Sequence, residues 1–105
     1  MPWAALVFAG IFEIGWPVGL KLAQEGPTRV LGFVTALLFM ALSGFLLWTA
    51  QKQIPIGTAY AVWTGIGAAG TFMVGAAFYG EAVNFMRFTG VALIIGGVVV
   101  LKLAQ

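Results

Sequence analysis

Glu13 is a lone carboxylate near the middle of the apolar run from Trp3 to Leu20. An ionisable group inside such a run is expensive to keep, so it is by default a candidate for holding a proton or a cation. If the run is helical, its neighbours at three and four residues are Ala9, Gly10, Trp16 and Pro17. Small residues on one side and an indole on the other then outline a pocket for something flat or small. Two structural alternatives exist: a neutral acid in an interhelical hydrogen bond, or an ion pair with Lys21 two turns along. Lys21 can snorkel to water from the membrane edge and need not neutralise Glu13. A second group of side chains is Tyr60, Trp63, Thr64 and Gly67. Tyr60 and Trp63 are three apart and share a helix face, where a phenol and an indole can fix a carboxylate or stack on a cation. Their alternative role is an interfacial aromatic belt. Ser43 could donate to a carboxylate, or serve only to let two helices approach.

The elements that must position these residues follow from composition. The chain has 105 residues, 62% hydrophobic and 8% charged, with a mean hydropathy of +1.07. Crossing a hydrocarbon core takes about 20 apolar residues in a helix, and the charges cut the chain into pieces of that length. Lys21, Glu25 and Arg29 close the first, Lys52 the second, Glu81 and Arg87 the third, and Lys102 the fourth. The spacing predicts an all-α membrane protein, a single domain over residues 1–105 with helices about 3–22, 28–49, 55–79 and 85–103. The first run carries Glu13 and lacks a basic leader, so it reads as a retained span rather than a signal peptide. Pro17 removes the hydrogen bond to the Glu13 carbonyl and predicts a kink there. Thr28 is the expected N-cap of the second helix, and Pro55 opens the third, where a missing N–H costs least.

Several classes of function are disfavoured. No basic cluster accompanies the net charge of +2, so nucleic acid is not an expected partner. Cysteine and histidine are absent and only three carboxylates exist, so neither a metal nor another cofactor is expected. No nucleophile–base pair or phosphate loop points to an enzyme. The positive residues divide two against three between the two ends of the spans, Lys52 and Lys102 against Lys21, Arg29 and Arg87. That is almost no topological bias. The chain could insert in both directions and assemble as an antiparallel, dual-topology homodimer of the inverted kind that many transporters build from repeats, or the weak bias could suffice for one orientation. Gly90, Leu93, Ile94 and Gly97 lie on one stripe of the fourth helix and read as a dimer seam, with packing inside one subunit as the alternative. A paired subunit would place two Glu13 carboxylates in one cavity, able to hold protons or a cation but not both.

The segment GIFEIGWPVGLKLA around Glu13, and above all IPIGTAYAVWTGIGAAG from Ile54, resemble the small multidrug resistance transporters along essentially the whole chain. Trp16 followed by Gly-Leu-Lys, and the ending VLKLA, resemble the guanidinium-exporting subtype rather than the quaternary ammonium one. The resemblance implies an antiparallel homodimer in the bacterial inner membrane that exchanges protons for guanidinium or small guanidinyl cations. It implies Glu13 as the shared proton and substrate carboxylate, with Trp16, Ser43, Tyr60 and Trp63 at substrate-binding or Glu13-orienting positions. Two alternatives keep the mechanism: bulkier quaternary ammonium or aromatic cations as substrates, or one subunit of an obligate heterodimer. Pro17 stands where alanine or glycine is usual in that family, and the first loop is one residue longer.

Overall fold

The computed structural model describes residues 2–104. They form four helices, α1 (Pro2–Leu22), α2 (Arg29–Ala50), α3 (Ile56–Phe78) and α4 (Phe85–Ala104), with a short 3-10 turn at Gly26–Thr28 between α1 and α2. The helices run 21, 22, 23 and 20 residues, about 30–35 Å each at the α-helical rise. All four are apolar and long enough to cross a bilayer. The fold is therefore all-α with four membrane-crossing helices.

The α1–α2 crossing is set by small residues. A Cβ on Gly19 would lie 2.7 Å from the Ala36 backbone nitrogen and 2.8 Å from the Gly32 carbonyl oxygen, and a Cβ on Gly32 would strike the Ala23 backbone in return. The two helices thus meet backbone to backbone, the close approach that glycine permits between helices lacking a hydrophobic driving force in lipid. Thr28 acts on the other side of this turn from the one expected. Its hydroxyl makes no capping bond to α2; it donates instead to the Leu22 carbonyl at 2.7 Å. The preceding 3-10 turn has already begun the next helix, so the orphan acceptor within reach is at the end of α1.

At the opposite end of α1 the α2–α3 connection is drawn into the molecule. Ile54 packs with Leu6, Ala50, Ala59 and Val62 in the main buried cluster. Pro55 precedes the first residue of α3, as its missing N–H favours. The α1 helix continues through Pro17 without interruption, so the absent proline N–H is absorbed within a helix that stays continuous.

The α4 helix starts where Asn84 Oδ1 accepts the Arg87 N–H at 2.8 Å, an asparagine cap. It has no buried residue and meets the rest of the chain chiefly through α3, where Val98 and Ile94 approach Gly65. The four helices form a slab of 45 × 34 × 17 Å.

Candidate functional site

Glu13 sits on α1 against α3, half-buried. Its methylene groups cover Gly67, where a Cβ would come within 2.5 Å of Glu13 Cγ. The glycine leaves room for the acidic side chain to lie flat on the neighbouring helix. Beside it opens a cleft of about 260 Å³ lined by Glu13, Pro17, Gly67, Ala68 and Thr71. Proline on one wall and glycine and alanine on the other leave the carboxylate and the Thr71 hydroxyl as the polar groups there.

One turn before Glu13, a buried hydroxyl joins three helices. Ser43 Oγ on α2 donates to the Ala9 carbonyl of α1 at 2.7 Å and accepts the Trp63 Nε1–H of α3 at 2.7 Å. One O–H cannot donate twice. Ser43 therefore spends its proton on a backbone carbonyl rather than on the Glu13 carboxylate that the sequence suggested, and its effect on the site is to fix the Trp63 indole. Trp63 in turn lies against Tyr60, with ring centroids 5.4 Å apart and planes at 56°, a tilted arrangement that aromatic quadrupoles favour. Tyr60 is otherwise exposed.

The structure thus gathers Ser43, Trp63 and Tyr60 into one chain of contacts and Glu13 with Gly67 into another, the two joined along α3 by the single turn from Trp63 to Gly67. Trp16 is half-buried on α1 but is not among the residues lining the Glu13 cleft. Among the described residues no group of three His, Cys, Asp or Glu side chains gathers to hold a metal ion.

A family model described as Small Multidrug Resistance protein matches residues 1–94. The chain belongs to the small multidrug resistance family. It is 46% identical over 105 residues to a protein named guanidinium exporter from Yersinia pseudotuberculosis serotype I, covering 100% of both chains. It is 46% identical over 104 residues to the protein of that name from Escherichia coli strain K12, covering 99% of this chain and 98% of that one. The guanidinium exporter of Salmonella typhimurium is 40% identical over the same span. Family and four apolar helices together make this a multi-pass protein of the bacterial inner membrane.

In this small multidrug resistance protein the four α4 positions read as a seam do not behave alike. A Cβ on Gly90 or Gly97 would meet nothing within 4 Å, and Leu93 is 71% exposed. Ile94 is only 38% exposed, because with Val98 it leans on Gly65 of α3. Three of the four therefore line an open face, and Ile94 also packs against α3 of the same chain. Sequence reasoning passed over Thr71, one turn beyond Gly67, and took Ala9 only as a small neighbour of Glu13, whereas its contribution is a carbonyl. A threonine inside an apolar span was a visible signal. A backbone acceptor leaves none.

Proposed function

We propose that this protein is a proton-coupled antiporter that exports guanidinium or small guanidinyl cations, working as an antiparallel, dual-topology homodimer. The observation that carries the reading is Glu13, a half-buried carboxylate inside a membrane-crossing helix that borders an open cleft. Full-length identity to proteins named guanidinium exporter supports the choice of substrate.

A carboxylate in that position binds a proton or a cation, and each displaces the other. Exchange of one for the other across the membrane is antiport. Guanidinium suits the site because its planar N–H groups face a carboxylate in pairs, which an ammonium cannot reproduce. Trp63, held by Ser43, and its neighbour Tyr60 offer aromatic faces to such a cation. The 17 Å slab supports the dimer, since a second subunit is needed to close the cleft from the lipid. Two oppositely inserted copies would supply two Glu13 groups and an inverted relation between two conformations.

The test is uptake into liposomes containing this chain alone. Guanidinium should drive proton movement, and a tetra-alkylammonium should drive much less. Transport of neither would remove the reading for the homodimer, and a preference for the tetra-alkylammonium would remove guanidinium as its substrate.

A further inference from the structure

Glu81 follows α3 in the chain, yet the turn carries it back onto that helix. Gly80 has φ +64°, a left-handed conformation that glycine adopts without strain, and the Tyr79 and Glu81 N–H groups both donate to the Gly75 carbonyl at 3.1 and 3.2 Å. The Glu81 carboxylate consequently lies on Gly75, where an added Cβ would collide with it. The helix end itself gives no reason for an anion there. The last turn of a helix presents the negative end of its dipole, which favours cations and opposes a carboxylate. Carboxylate and helix end together make a mouth that favours a positive ion.

That mouth opens on a cavity of about 360 Å³ whose walls include Glu81, Tyr79, Lys21 and Thr71. Pro17, Ala68 and Thr71 belong both to this cavity and to the Glu13 cleft, so the two spaces adjoin. The spacing is regular on both helices: Glu13, Pro17 and Lys21 on α1, and Gly67, Thr71 and Gly75 on α3, step by four residues along facing stripes. Eight residues of helix put the two levels about 12 Å apart. Lys21 Nζ rests over the Tyr79 ring, 5.7 Å from its centroid, and among the described residues no lysine or arginine nitrogen comes within 4.0 Å of a carboxylate oxygen.

Resting on the transport reading, we propose that Glu81 is a second cation site: a vestibule carboxylate that takes up the guanidinium-type cation about two helical turns from Glu13. The cation passes between the two along the α1–α3 stripes. Lys21 is the native cation of the same cavity and competes with the substrate for it. In an antiparallel pair, one Glu81 vestibule would face each side of the membrane, one for uptake and one for release.

The experiment measures guanidinium-driven exchange by the full chain in liposomes over a range of ionic strength. Glu81→Gln should raise KM for guanidinium by about tenfold, the scale on which a charged cleft concentrates its ligand, and should flatten the salt dependence that the wild type shows. Glu81→Asp, which keeps the charge, should recover part of both. Lys21→Gln should lower KM. A folded Glu81→Gln protein with wild-type KM and salt dependence overturns the proposal alone, since the transport reading survives in the active wild type. If Glu81→Gln does not fold, a Lys21→Gln variant whose KM is unchanged or raised overturns it equally. A wild type that moves no guanidinium removes the transport reading and this proposal with it.

Discussion

Ser43 is a small residue with a large positional effect, because its single hydroxyl ties the α1 backbone to the Trp63 indole. Replacing it by alanine changes little volume but leaves the indole N–H and the Ala9 carbonyl without that partner. Interhelical hydrogen bonds within membranes are worth on the order of 0.6 kcal/mol and reach about 1.7, so Ser43→Ala should destabilise the fold by roughly 1 kcal/mol. Its sharper consequence is for the site. Without its anchor the Trp63 ring is free to rotate away from Tyr60, and guanidinium affinity should fall more than stability does. Equilibrium unfolding in detergent and guanidinium titration followed by tryptophan fluorescence, run on the same variant, check the two effects separately. Equal affinity in wild type and variant would make the hydroxyl a helix fastener only.

The elements owe their relative placement to glycine at the contacts, and α3 shows it best. Gly67 carries the Glu13 side chain on its surface, so Gly67→Val should push the carboxylate out of the cleft. Overpacking at such a contact costs about 1–3 kcal/mol, and guanidinium transport should drop by at least about fivefold. Gly44→Ala is the control, because a Cβ there meets nothing within 4 Å. Transport assays on both variants at matched protein content decide the matter; similar losses in the two would detach Gly67 from Glu13. These contacts also mark how far the sequence could be read. Four apolar runs separated by charges made the helices legible, because the bilayer sets one length for all of them. Glu13 was legible because it is a carboxylate in an apolar run. The partner of Ser43 was not, since a carbonyl acceptor on α1 has no residue type, and the reach of Thr28 to Leu22 depends on a 3-10 turn that Gly-Pro-Thr does not specify. The return of Glu81 onto α3 hangs on the sign of one φ angle at Gly80. Loop sequence alone placed that carboxylate at the membrane edge and no further.

At the scale of the whole molecule, the thin slab and the exposed α4 face support the proposed pairing of two copies, and the two-against-three division of positive charge fits the proposed insertion in both directions. The chain has no native cysteine, so a cysteine introduced at Gln53, in the α2–α3 connection, reports orientation without background. It should react with impermeant reagents from both sides of the membrane in comparable amounts. Reaction from one side alone would rule out the antiparallel homodimer. The proposed function rests on one carboxylate, Glu13, serving two ligands in turn, and proton release on guanidinium binding measures that directly. Guanidinium added to the purified wild type in weak buffer should release protons, and its apparent affinity should weaken as pH falls, because protons and guanidinium compete for Glu13. Glu13→Gln, which keeps the shape and loses the charge, should do neither. Guanidinium binding that is independent of pH and releases no proton in the wild type, or proton release that persists undiminished in Glu13→Gln, would contradict the account.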